Sequence, residues 1–447
     1  MSKLTKLITK PDKFFIDMFK KRDPINRIKK NAVKNEKALV FKATPSLVSG
    51  QLKDKVNTRT PIAKKNITTM ITDNIRLFNK TAHLLHTGEG IKCAFHLELW
   101  LGEFIASKES FAILIRNLEL YEWAIQQYPY LDIVYAKTAL DVESILSKLP
   151  YLRGVYYFSN TGNLIHTLRF NSYQHIFLGH GDSDKAASAH KFFRVYDEIW
   201  VAGQAHIDRF KNTGFNTDHI KFVKVGRPTL KHIVRKSLNN SKKDCAINNL
   251  TYFPTWEGAF EENNYSSAHL SIVMLSEIQK ILNCNIRAKY HPLTGQRDKT
   301  FESVTVSLER EFIDRQYLLN IADKTVPVSN LIIDSQAFIC DISAVVSECI
   351  SSLSPIFIYI PSDRKVVTSS SDMSYSDYAY IFSSIPELIS LITEVLINGN
   401  DYLAKARYRA LDYLLSIHET VNDEFQLQLK RMSSKISLQE NTRPLLA

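Results

Sequence analysis

Four short stretches of this 447-residue chain combine residue types that handle protons and phosphate. The first is Gly179-His180-Gly181, which follows the apolar run His175-Ile176-Phe177-Leu178 and precedes a polar turn, Asp182-Ser183-Asp184-Lys185. A neutral histidine at a strand tip can take a proton from a substrate hydroxyl near neutral pH. The flanking glycines let the backbone turn sharply and approach a ligand. Lys185 can pair with a phosphate, or with Asp182 or Asp184. The second stretch is Phe253-Pro254-Thr255-Trp256-Glu257-Gly258, where the Thr255 hydroxyl at a strand end can hold a phosphate oxygen; an ordinary turn with a tryptophan anchor is the plainer reading. The third is Lys289-Tyr290-His291-Pro292. Lys289 and His291 at a strand end suit the charge of a diphosphate, and Pro292 stops the strand. The fourth, Cys340-Asp341-Ile342-Ser343-Ala344, opens a helix whose free amides form an anion site. Asp341 would repel a phosphate, so it is assigned to capping and Ser343 to the ligand. Glu348 lies about one and a half helical turns further on, within reach of a ribose hydroxyl.

These four stretches need a scaffold that brings strand tips together. Residues 91–240 read as alternating strands and helices. The apolar runs are Ile91–Leu99, Phe111–Arg116, Leu131–Ala136, Gly154–Phe158, His175–Leu178, Glu198–Ala202 and Ile220–Val225. A second alternating block follows from 241 to 432, with strands at Leu250–Phe253, Ile286–Tyr290 and Pro355–Ile360 and helices at Ser266–Leu282, Ile342–Leu353, Ser384–Leu396 and Asp401–Leu415. Such alternation predicts parallel sheets covered on both faces. The polar stretch 231–244 reads as the linker, and the residues after 432 as a loose tail. The expected class is α/β with a GT-B-like plan: two Rossmann-like domains facing a central cleft, with a C-terminal helix returning.

Ahead of both blocks, residues 1–42 carry 13 Lys/Arg against 4 Asp/Glu, most of the net charge of +11. Leu4, Leu7, Ile8, Phe14, Phe15, Met18 and Phe19 recur at helical spacing with lysines between them. This suits an amphipathic helical arm lying in an anionic membrane interface. Nucleic acid is not expected as a partner, since the basic cluster is local and no recognition motif accompanies it. Residues 43–90, including a helical patch at Ile67–Leu85, read as a connecting segment. No cleavable signal sequence is expected, and no run of about 18 apolar residues is present to span a bilayer. The five cysteines, Cys93, Cys245, Cys284, Cys340 and Cys349, lack paired ligand spacing, so reduced structural thiols are expected rather than a zinc site.

Taken together, the order of the motifs resembles that of the CDP-glycerol glycerophosphotransferase family of teichoic-acid and capsule synthesis. The resembling segment is roughly 150–400. It carries His180-Gly181, Pro254-Thr255-Trp256, Lys289-Tyr290-His291-Pro292, Asp341-Ile342-Ser343-Ala344, Glu348 and Pro355-Ile356. Three positions depart from the family pattern. Ala344 replaces the second serine of D-x-S-S, Glu257 stands where an arginine often follows the P-T-W turn, and Gly226-Arg227-Pro228 replaces G-x-P-R. The resemblance implies in-line transfer of glycerol phosphate, or a related polyol phosphate, from a CDP-activated donor to a lipid-linked glycan acceptor, with release of CMP. It implies priming or single addition, with His180 as the base, His291, Thr255 and Ser343 at the diphosphate, and Glu348 at the ribose. It further implies a peripheral protein on the inner face of the bacterial cytoplasmic membrane, near other capsule assembly proteins. No metal ligand set or tightly bound cofactor is expected, though Mg²⁺ accompanying the donor diphosphate is compatible with the residues. The alternatives are a GT-B glycosyltransferase using a nucleotide sugar and a non-catalytic, membrane-associated capsule scaffold.

Overall fold

The structure is a computed structural model that describes residues 80–181, 189–239, 247–258, 264–323, 326–363, 366, 371–417 and 423–434. The basic arm (1–42), most of the connecting segment, Asp182, Lys185 and the tail from 435 lie outside the described residues.

Two parallel sheets organise the rest. The first contains β1 (His83–Thr87), β2 (Phe111–Ile115), β3 (Ile133–Tyr135), β4 (Gly154–Tyr157), β5 (Gln174–Phe177), β6 (Glu198–Val201) and β7 (Lys221–Lys224), in the order β3-β2-β1-β4-β5-β6-β7. The second contains β8 (Asn249–Phe253), β9 (Asn285–Ala288), β10 (Leu319–Ile321), β11 (Ala337–Asp341), β12 (Ile356–Tyr359) and β13 (Tyr380–Phe382), in the order β10-β9-β8-β11-β12-β13. Each half starts in the middle of its sheet, runs to one edge, then crosses to the other side. The strand order therefore reverses between β1 and β4, and again between β8 and β11. Open α/β sheets place ligands outside the carboxyl ends of strands at such reversals.

The strands are short and apolar because helices cover both faces. β1, β11 and β12 are buried along their whole lengths. The helices used below are α1 (Ala94–Ser107), α2 (Gln204–Asn212), α3 (Lys231–Asn239), α4 (Ser271–Leu282), α5 (Ala344–Cys349), α6 (Ala404–Leu415) and α7 (Glu424–Ser433).

Several boundaries differ from those expected. The segment Ile67–Leu85 had a helical pattern, yet its last residues begin β1, an interior strand of the first sheet. The first half therefore starts by residue 83, not 91. Ile91–Leu99 forms no strand. It is a 3₁₀ turn, Ile91–Cys93, followed by α1, whose buried residues Leu97, Trp100, Leu101 and Phe104 recur at helical spacing. The stretch read as a linker is helical through Asn239. There Ile233 and Val234, 1% and 0% exposed, enter the apolar cluster of the second half, so polar composition hid an amphipathic helix. The second block also does not keep all its residues to itself. Phe425, Leu429 and Met432 of α7 pack with Trp100, Phe104, Tyr156 and Trp200 in the first half's core. The α7 helix is held there by Arg431 to the Glu198 carboxylate (2.6 Å), Gln426 to the Glu103 carbonyl (3.0 Å) and Ser433 against the His83 ring (2.8 Å). Helix α6 also reaches back: Tyr413 donates to Asp208 of α2 at 2.8 Å. A Cβ on Gly203 would lie 2.5 Å from the backbone of Leu414, so only glycine permits that approach.

Candidate active site

The first half contributes the loop after β5. Gly179 sits at φ +68, the left-handed region that favours glycine. The Trp100 indole N–H, presented by α1, donates to the Gly179 carbonyl at 2.7 Å and fixes the turn. His180 Nδ1 lies 2.8 Å from the Phe158 carbonyl. A carbonyl only accepts, so Nδ1 carries the hydrogen and Nε2 of the neutral ring keeps its lone pair. The His180 ring stacks on His96 with centroids 3.7 Å apart and planes 11° from parallel. His96 in turn points Nδ1 at the Glu89 carboxylate, 2.8 and 2.9 Å from its two oxygens.

This surrounding lowers the His180 pKa below 6.5, first because protein crowds the ring and next because His96 lies against it; Arg227 adds to the drop, while Phe158 and Glu89 oppose it. Part of His180 is nonetheless exposed to solvent, which limits the size of the drop without changing its sign. The histidine is thereby held neutral and ready to accept a proton.

The second half contributes the ends of β8, β9 and β11. Asp341, the last residue of β11, directs Oδ2 at the backbone amides of Thr255 (2.7 Å) and Ser267 (3.0 Å). This corrects the capping assignment. Asp341 lies one strand over from β8, and its carboxylate joins the Pro254-Thr255-Trp256 turn to the start of the segment leading into α4. Ser343 occupies the cap position of α5, but its side chain makes no cap bond, and its Oγ is shut from solvent with no hydrogen-bond partner among the described residues. Thr255 is 2% exposed and its carbonyl accepts from Ser266 Oγ at 2.8 Å. Lys289 turns away from the expected direction: it is buried, and its Nζ donates to the Asp323 carbonyl beyond β10 at 3.1 Å. Burial lowers the Lys289 pKa, with Asp323 partly offsetting the effect.

His291 is wired in the opposite sense to His180. The Leu293 amide donates to His291 Nδ1 at 3.1 Å, so in the neutral ring the hydrogen resides on Nε2. Its ring lies nearly parallel to Trp256, 20° off, with centroids 6.1 Å apart. Glu257, fully buried, accepts from the amides of Gly295 (3.1 Å), Arg297 (2.9 Å) and Asp298 (3.0 Å). Burial raises its pKa, but those amides, with its own, outweigh burial and bring it below the ordinary value. The Glu257 carboxylate therefore ties down the loop after His291. Beside this turn is a cavity of ≈ 210 Å³ lined by Asn264, Ser266, His269, Phe301, Tyr359 and Pro361.

The two halves meet at the start of α5. A Cβ on Gly181 would stand 2.8 Å from the Ala344 methyl, so the His180 loop packs directly against the residue after Ser343. The structure thus brings His180, Gly181, Ser343 and Ala344 together. Glu348, a turn further along α5, is half-buried. Burial raises its pKa, and Arg227 pulls it partly back.

Three participants escaped the sequence reading: Arg227, Trp100 and the Glu89–His96 pair. Arg227 sat in view within Gly226-Arg227-Pro228 but registered only as a departure from a motif. Glu89, Cys93 and His96 share no element: Glu89 lies in the loop before the 3₁₀ turn that ends at Cys93, and His96 lies on α1, so no helix periodicity links them. Their donor atoms lie within 4.8 Å of one another. Burial first, then Glu89, pushes the Cys93 thiol up to about 11, and the thiol also bonds Glu89. That keeps the sulfur protonated, whereas a metal needs the thiolate. The trio reads as a hydrogen-bonded group centred on the Glu89 carboxylate.

No family model and no curated protein matches the chain. Solved structures do. A histidine-substituted form of the wall teichoic acid polymerase TagF aligns with TM-score 0.52 and 12% identity over 82% of this chain and 94% of the TagF chain. TagF soaked with CDPG aligns with TM-score 0.50 and 11% identity over 82% and 93%. The fold is GT-B. The two sheets described above correspond to the paired Rossmann-like domains of that fold, as the sequence pattern predicted. MurG of Acinetobacter baumannii aligns with TM-score 0.47 and 11% identity over 80% of this chain and 100% of its own. Among the described residues, no helix is long and apolar enough to cross a membrane.

Proposed function

We propose that this chain is a transferase that moves glycerol phosphate, or a related polyol phosphate, from a CDP-activated donor to the hydroxyl of a lipid-linked glycan in teichoic-acid-like or capsule polymer synthesis. The observation that carries this reading is the seating of the His180 loop against the start of α5, with His180 Nε2 left as a proton acceptor. The acceptor hydroxyl gives its proton to His180 Nε2. Its oxygen bonds to the phosphorus bearing the polyol, and the bond from that phosphorus to the bridging oxygen breaks. CMP leaves with the electron pair. Catalysis of this kind rests on alignment and on positive or donor groups around the diphosphate. His291 Nε2–H and Ser343 Oγ–H are the donors in this scheme, and Glu348 takes the ribose. The ≈ 210 Å³ cavity is smaller than the roughly 300–1,000 Å³ of whole-ligand pockets, which suits the donor's base alone. Mg²⁺ would ride on the donor diphosphate, and chelation would test its part in turnover.

The basic arm would hold the enzyme at the inner face of the bacterial membrane, where lipid-linked acceptors lie. Incubation with a panel of nucleotide-activated donors tests the reaction. CMP release from a CDP-polyol supports it. Release of UDP from a nucleotide sugar, with inertness toward CDP-polyols, would replace it with a glycosyl transfer. Inertness toward every donor, with capsule intact in a His180→Ala strain, would indicate a scaffold.

A further inference from the structure

Two arginines in the first half are equally buried, at 7% exposure, and differ completely in what they touch. Arg116 saturates its fork: it donates to the carbonyls of Ala136 (2.5 Å), Asn163 (3.1 Å) and Lys137 (3.1 Å), and its NH2 lies 2.9 Å from His166 Nδ1. Arg407 in the second half, 0% exposed, likewise binds the Leu353 carbonyl and the Asp401 carboxylate. Arg227 has no such partner. Its guanidinium lies over the Trp100 ring, 5.8 Å from the centroid, and makes no hydrogen bond or ion pair among the described residues. Its nitrogens still reach solvent, unlike the sealed ones of Arg209 and Arg287, so this largely covered cation keeps an edge open to the oxygens of a ligand.

The setting indicates which ligand. Arg227 follows β7 at the junction of the halves, and its charge acts on both His180 and Glu348. The Trp100 ring beneath it also pins the Gly179 turn, so one side chain fixes both the guanidinium and the His180 loop. The fork matches two phosphate oxygens in a way an ammonium cannot.

We propose that Arg227 is the anion seat of the cleft, a guanidinium held open to receive a phosphate group of the ligand next to His180. That this phosphate belongs to a nucleotide-activated donor rests on the function proposed above; the anion seat itself does not. Trp100 acts as a positioning residue, supporting the guanidinium face while leaving its edge for oxygen atoms.

Calorimetric titration of the full chain with inorganic pyrophosphate, which carries no base or sugar, tests the site apart from the reaction. Wild type should bind, Arg227→Ala should weaken binding at least tenfold, and Arg227→Lys should fall between them. Circular dichroism and melting curves establish that each variant is folded; should Arg227→Ala fail to fold, Arg227→Gln and Arg227→Lys carry the comparison. Wild-type affinity in a folded alanine or glutamine variant would overturn the proposal, as would failure of the wild type to bind pyrophosphate. Arg227-dependent pyrophosphate binding in a protein inert to every CDP-polyol would leave this site standing and remove the proposed reaction.

Discussion

His180 and His291 stand on corresponding features, the carboxyl-side loops of two parallel sheets, yet their protons are placed oppositely. A carbonyl takes the Nδ1 hydrogen of His180, leaving Nε2 as an acceptor. A backbone amide occupies Nδ1 of His291, leaving Nε2 as a donor. Residue type and position at a strand tip are the same in both halves, so neither decides the role. One backbone group beside each ring does. In the neutral rings, His180 therefore carries a lone pair on Nε2 and His291 a hydrogen.

The comparison breaks most visibly if both histidines are replaced. His180→Ala should lower kcat by about 10²–10⁴, the usual share of general base catalysis, while leaving donor affinity near wild type. His291→Ala should raise the donor KM as well as lower kcat. Identical kinetic signatures for the two variants would abolish the distinction.

A second difference concerns what holds each tip. The loop after His291 hangs on the Glu257 carboxylate. Glu257→Gln puts an amide nitrogen against amide donors and should cost roughly 1–3 kcal/mol of stability, read as a lower Tm. The donor KM should rise with it. His180 instead leans on His96 and Glu89. His96→Ala removes both a neighbour that lowers the His180 pKa and some of the crowding, so that pKa should rise toward 6.5. The acidic limb of the kcat/KM profile should then move to higher pH, with Tm little changed. A limb that stays put would separate His180 from the observed titration.

A third difference is in acid stability. Burial depresses His83 to about 3 and holds His86 well below 6.5, so both are neutral in the folded first half. Their contribution is complete above the unfolded value of 6.5 and is withdrawn as pH falls from there toward about 3, by up to roughly 1.4 kcal/mol per pH unit for each proton taken up. Glu257 is depressed from 4.5, so its contribution is complete above that pH and lost below it. Hydrogen exchange at pH 5.5 should therefore show protection lost first in the first half. Loss in the second half first would contradict this ordering.

The strand tips were legible in sequence because apolar runs ending in Gly-His-Gly, Pro-Thr-Trp and His-Pro mark where buried strands stop. Paired α/β halves followed from the alternation. Other parts were hidden for physical reasons. The β1 segment His83–Thr87 carries two histidines and a threonine, and only complete burial in a sheet interior makes it a strand. The Ile91–Leu99 run is dense enough in apolar residues to read as strand, and α1 shows helical spacing only when followed through Phe104. Asp341 looked like a cap because caps are local, whereas its partners, Thr255 and Ser267, are 86 and 74 residues away. Arg227 could not be singled out by composition, since its distinction is the lack of hydrogen-bond partners among the described residues.

The placement of α7 has a consequence for biosynthesis. Phe425, Leu429 and Met432 complete a core whose other members lie between Leu85 and Val225. On the ribosome, the earlier-made half therefore emerges with an open apolar slot and waits for some two hundred further residues before it can be closed. Domains generally fold in order of synthesis; here a helix made after the second half finishes the first domain, so a chain truncated before residue 424 would leave that domain's core open.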